Sequence, residues 1–131
     1  MSRSFIRLLF LFGVLLPTLV LAKQSEVMNA RIWESPESTR LVLELSDSVE
    51  YRVMTLVKPD RIVIDVSNTA KRPQIFNALE LSTSPLKAIR TAKRNQNDLR
   101  IVLDLKEKVE EKSFLLKANE LFKIGYNCFT Y

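Results

Sequence analysis

The chain has 131 residues, 20 of them Lys or Arg against 15 Asp or Glu for a formal charge of +5, with one cysteine and no histidine. The missing histidine removes the commonest general base, the usual zinc ligand and the nucleophilic triads that depend on imidazole, and a single thiol, Cys128, rules out an intrachain disulfide. Basic and acidic residues alternate along most of the sequence, so its positive balance is a weak reason to expect a nucleic acid, and none is predicted as a partner.

The first element in chain order is an export signal. Arg3 and Arg7 precede an apolar run over residues 8–21, and Ala22 stands before the polar Lys23-Gln24-Ser25, the layout of a secretory signal peptide over residues 1–22, cleaved after Ala22. The run is 21 − 8 + 1 = 14 residues long and contains Pro17, short of the roughly 20 needed to span hydrocarbon. No cysteine follows for lipid attachment, so no stable membrane anchor is expected after cleavage. Residues 23–131 then number 131 − 22 = 109 and carry +3 once Arg3 and Arg7 are gone. That length suits one domain.

A strand is expected over residues 27–34, cut by the turn formers Ser35-Pro36-Glu37-Ser38. Leu41, Leu43 and Leu45 alternate with Arg40, Val42 and Glu44, the two-residue period of a strand with one buried face. Residues 51–57 read as the next strand, rich in branched and aromatic side chains. Lys58-Pro59-Asp60 turns it, and residues 61–66 return with Ile62, Ile64 and Val66 on one face. Residues 67–73 are polar and irregular, while Ile75, Phe76, Leu79 and Leu81 have helical spacing before Ser82-Thr83-Ser84-Pro85. One short helix is predicted there, packed over the end of the sheets. Leu99, Ile101, Leu103 and Leu105 resume the strand alternation. Only two glycines occur in the whole chain, so the turns must rely on Pro, Asp, Asn and Ser.

The sequence also repeats itself. Arg40-Leu41-Val42-Leu43-Glu44-Leu45 recurs as Arg100-Ile101-Val102-Leu103-Asp104-Leu105 at an offset of 100 − 40 = 60, and Val49-Glu50 falls on Val109-Glu110, Ile62 on Phe122 and Ile64 on Ile124. Ala30-Arg31-Ile32 resembles Ile89-Arg90-Thr91, one residue out of step. Halves at about 27–66 and 86–124, each of about four strands, cannot cover their own apolar faces and must pack on each other. The expected fold is all-β: a sandwich of two symmetric, roughly four-stranded sheets of similar sequence, with one short connecting helix.

The stretch from Ala30 through Leu45, followed by Lys58-Pro59-Asp60-Arg61-Ile62-Val63-Ile64-Asp65-Val66, closely resembles the AMIN domain, as does Ser84-Pro85-Leu86-Lys87-Ala88-Ile89-Arg90 leading into residues 99–105. AMIN domains stand at the front of periplasmic N-acetylmuramoyl-L-alanine amidases of Gram-negative bacteria. The resemblance implies a periplasmic, non-catalytic sandwich that binds peptidoglycan and targets an attached enzyme to the division septum. It weakens over residues 118–131, where the final strand loses the basic start and acidic finish of residues 61–66 and Arg61 falls opposite Leu121 in the repeat. A linker and a zinc-dependent catalytic domain would follow in the amidases, so the chain is expected to be the front of a shortened amidase. A protein-interaction adaptor of the cell envelope, docking on a division-complex or secretin partner, is the alternative. No cofactor, metal ion or catalytic residue is expected in either case.

Peptidoglycan offers sugar faces for aromatic stacking and stem-peptide carboxylates for the planar guanidinium fork. The candidate binding residues are therefore Arg31, Trp33, Arg40, Arg61, Arg90 and Arg100. Arg31, Arg90, Arg40 and Arg100 have a competing structural role as cross-strand ion-pair partners of Glu44 or Asp104, Arg61 faces away from the Ile62 and Ile64 side, and Trp33 has a competing role at the rim of the core.

Overall fold

Leucine and β-branched residues at every second position favour extended backbone, because successive side chains of a strand leave on opposite faces. The computed structural model describes the backbone of residues 22–118 and 121–129 and the side chains up to residue 110; the expected export signal, apart from Ala22, and the Cys128 thiol lie outside them. Along the chain run β1 (Ser25–Glu34), β2 (Ser38–Leu45), β3 (Tyr51–Leu56), β4 (Arg61–Val66), β5 (Thr69–Ala70), α1 (Pro73–Asn77), β6 (Leu86–Arg94), β7 (Asp98–Leu105), β8 (Glu110–Ala118) and β9 (Leu121–Phe129). They form two sheets, ordered β5-β1-β2-β9-β8 and β3-β4-β7-β6. The all-β sandwich with one short helix is thus the architecture of the described residues.

The leucines face inward as their spacing requires. Leu41, Leu43 and Leu45 from one sheet and Ile62, Ile64, Leu99, Ile101 and Leu103 from the other form one buried cluster, each such side chain stabilising the fold by roughly 1.5–3 kcal/mol.

The sheets do not correspond to the sequence repeats. Each sheet takes the first two strands of one copy and the last two of the other: β1 and β2 join β9 and β8, while β6 and β7 join β4 and β3. The chain changes sheet between β2 and β3 and again between β7 and β8, at the segments that carry Val49 and Val109. Val109 is buried in the core and Val49 packs against it, which gives the repeated Val-Glu pair a structural meaning as the corner between sheets. The irregularity also repeats: a bulge falls between Val27 and Asn29 against β2 and between Leu86 and Ala88 against β7.

The closing strands carry a register change that the linear repeat hides. In the pair β4–β7, Arg61 lies across from Asp104 and Asp65 from Arg100. In the pair β2–β9, Lys123 lies across from Glu44 and Asn127 from Arg40. The counterpart of Arg61 is therefore Lys123, not Leu121, so the basic start of the strand is retained and only its acidic finish, Asp65, is replaced by an amide. A shift of two residues keeps every side chain on its own face, which is why it leaves the apolar pattern intact.

The helix is shorter than its apolar spacing suggested and sits elsewhere. It starts with Pro73, whose fixed φ suits a first helical turn, and ends at Asn77, while Leu79 and Leu81 pack against the core beyond its end. It contacts β1 and β6, closing the side of the sandwich between those two strands, not the end of the sheets. The two-residue β5, in a stretch expected to be irregular, pairs in parallel with Ser25 and Glu26. Asparagines serve where glycine would be usual: Asn68 and Asn95 have φ of 44° and 55°, a region asparagine tolerates better than most residues. Asp98 ties these two turns together, accepting hydrogen bonds from the Asn68 backbone N–H at 3.0 Å and the Asn95 side-chain amide at 3.4 Å.

Candidate ligand-binding faces

The six candidate residues do not converge on one site. Inward-pointing Leu43 and Leu103 put their strand neighbours on the outside, and because the two copies of this pattern lie in different sheets, their polar residues face opposite sides of the molecule. Arg31, Trp33 and Arg40 belong to the outer face of the β5-β1-β2-β9-β8 sheet; Arg61, Arg90 and Arg100 belong to the outer face of the β3-β4-β7-β6 sheet.

On the first face, Arg31 lies across from Val42 and reaches diagonally to form an ion pair with Glu44 through Nη2. Its guanidinium also lies 5.4 Å from the centre of the Trp33 ring, within range of a cation–π contact. Trp33 is 56% exposed, so the indole is a surface residue held by its arginine neighbour and takes no part in the core.

The second face repeats the first pair and adds to it. Arg90, across from Val102, reaches diagonally to Asp104 with Nε at 2.6 Å and Nη2 at 2.8 Å. One step away, Arg100 makes the same two-pronged contact with Asp65 directly across the sheet, at 2.7 and 2.9 Å, and Arg94 approaches Asp65 at 3.2 Å. The ion-pair role is thus realised for Arg31, Arg90 and Arg100. Sequence reasoning named Glu44 and Asp104 as partners but missed Asp65 and Arg94. Asp65 stands at an outward position of a strand whose every other residue after Arg61 is buried, and a carboxylate in that setting signals a partner close at hand.

Both acids are tuned by their arginines. The hydrogen-bonded Arg100 guanidinium holds the Asp65 carboxyl below the usual carboxylate range against the opposing cost of burial, with Arg94 and Arg52 adding their charges. Arg90 does the same for Asp104, helped by Arg61 and Lys87. Each acid stays ionised at neutral pH at the centre of three cations. The stems of those long side chains cover the sheet, so Val63, an outward residue of β4, is 4% exposed.

Among the described residues, no group of three or more His, Cys, Asp or Glu side chains is placed to hold a metal ion, and no helix is long and apolar enough to cross a membrane. The chemistry this surface offers is recognition of anions and stacking.

The chain is 33% identical over 98 residues to the N-acetylmuramoyl-L-alanine amidase AmiC of Neisseria meningitidis serogroup B, covering 72% of this chain and 23% of that protein. It is 27% identical over 110 residues to the amidase AmiC of Escherichia coli O6:H1, covering 79% of this chain and 25% of that one. The chain thus spans about a quarter of the length of these relatives. Residues 29–123 match the AMIN domain, and with 123 − 29 + 1 = 95 of 131 residues covered, the chain belongs to the AMIN domain family.

Proposed function

We propose that this domain is a non-catalytic, periplasmic peptidoglycan-binding module that brings a cell-wall amidase to the division septum. The observation that carries the reading is the outward display, on both sheets, of an arginine and carboxylate strand pair on the scaffold of a family whose similar members here are amidases of the muramoyl–alanine bond. The guanidinium groups of Arg52 and Arg61, beside the pairs of the β3-β4-β7-β6 sheet, match stem-peptide carboxylates, and the exposed Trp33 ring adds a face for sugar.

Sedimentation with purified, protein-free sacculi tests it. The chain is expected in the pellet, with no soluble muropeptides released. A chain that stays in the supernatant overturns the wall-binding reading, and one that pellets only when an envelope protein is added is an adaptor instead. Released muropeptides would overturn the non-catalytic part. An amidase reading frame is expected in the adjoining DNA, and its absence would remove the amidase parentage.

A further inference from the structure

The outer face of the β3-β4-β7-β6 sheet carries more cations than its two paired carboxylates, Asp65 and Asp104, can neutralise. Its residues fall in three rungs across the strands. On the first, Arg52 lies across from Asp65, which lies across from Arg100. On the second, Met54, Val63 and Val102 are in line. On the third, Leu56, Arg61 and Asp104 follow. Rungs one and three are four residues apart along β4, about 13 Å.

Each outer rung is a carboxylate with excess cations. Arg100 meets Asp65 with both prongs and Arg94 pairs with the same carboxylate at 3.2 Å, so one negative charge faces three guanidinium groups once Arg52 is counted; Arg90 occupies Asp104 with both prongs, leaving Arg61 and Lys87. No described residue forms an ion pair with Arg52 or Arg61, and the middle rung between them is uncharged over β3, β4 and β7, its β6 position being Arg90, which is held by Asp104. Beyond Val102 and Arg90 lies an open groove of about 470 Å³ between α1 and β6, lined in part by Lys71, Phe76, Ile89 and Arg90.

We propose that this face binds two carboxylates of wall stem peptides at once, one beside Arg52 and Arg94 and one beside Arg61, about 13 Å apart, with the neutral peptide between them crossing Met54, Val102 and the side-chain stems that cover Val63. The inference rests on the peptidoglycan reading and narrows it to the peptide, not the glycan, and to one sheet. Two fixed positive centres separated by an apolar strip select a ligand whose charges are spaced to match, while a uniformly charged polymer would leave the strip unused.

The test uses the whole chain and three probes: native sacculi, sacculi whose carboxyls have been converted to methylamides, and phosphatidylglycerol vesicles. The parent is expected to pellet with native sacculi and to lose about tenfold in affinity on methylamidated ones, and Arg52→Glu with Arg61→Glu is expected to lose about tenfold on native sacculi while melting like the parent. Arg52→Lys with Arg61→Lys, which keeps the charge, is expected to retain most of the binding. Undiminished binding to methylamidated sacculi overturns the inference whether or not the variants fold, as does a well-folded Glu variant that pellets like the parent. Retention on vesicles that the Glu pair abolishes assigns the face to lipid and also overturns it. A parent that fails on native sacculi overturns the wall-binding reading itself, which separates the two failures.

Discussion

β4 and β9 occupy the same place in the two sheets, each between a hairpin partner of its own copy and the repeated Arg-Leu-rich strand of the other. β4 meets β7 with opposite charges across two rungs, Arg61 with Asp104 and Asp65 with Arg100. β9 meets β2 with Lys123 across from Glu44, then Asn127 across from Arg40. The difference separates what pairs strands from what decorates them. Backbone hydrogen bonds and apolar alternation suffice to seat β9 along the whole of β2, while the carboxylate that gathers arginines is present in one sheet and replaced in the other.

Breaking the shared part should cost most. Leu43→Ala and Leu103→Ala remove equivalent, fully buried side chains from opposite sheets, and each is expected to lower stability by about 3 kcal/mol, read by chemical denaturation. A large inequality between them would show that the two halves of the core are not equivalent. Removing the unshared carboxylate comes next. Asp65→Ala leaves Arg100, Arg94 and Arg52 around an empty position and should cost about 2 kcal/mol, whereas Asp65→Asn copies the β9 arrangement into β4 and should cost less.

Acid probes the same contrast through protonation. The folded-state pKa values of Asp65 and Asp104 are depressed by Arg100 and Arg90, so the stability these acids contribute is complete above the unfolded carboxylate range, about pH 4, and is lost as pH falls through their lower folded values. Thermal melts should therefore drop from about pH 4 downward, and Asp65→Asn with Asp104→Asn should flatten that drop while lowering the melting temperature at neutral pH. A double variant with an unchanged acid profile would remove these two groups as its source.

The smallest effects lie on the first face. Asn127→Asp places an opposite charge across from Arg40 and is expected to gain up to about 1 kcal/mol, a sharper test of the register than of the energetics, since a β9 paired as the linear repeat suggests would put Gly125 there and gain nothing. Trp33→Ala loses the stacking on Arg31 but no core contact, and should cost less than about 1 kcal/mol.

Much of this was legible from the chain. Alternating leucines in residues 41–45 and 99–105 located β2 and β7 and their buried sides, because a strand's faces are fixed by a period of two whatever it pairs with. The repeated Val-Glu was visible but mute, since a corner between sheets has no period of its own. The candidate arginines were found by their outward positions, yet Arg31 and Arg90, equivalent in the repeat, lie on opposite sides of the molecule. Asp65 was passed over because its importance comes from Arg100 and Arg94, residues more than twenty positions away.

Local alternation and the internal repeat, properties of neighbouring residues, were enough to determine two leucine-lined sheets with arginines outside. Which copy supplies which strand of each sheet, and hence which cations meet which carboxylates, was decided by the chain crossing between sheets at Val49 and Val109 and by the two-residue slide of β9. Those are long-range pairings, and a slide by one full period changes no residue's face, so nothing in the linear pattern records it.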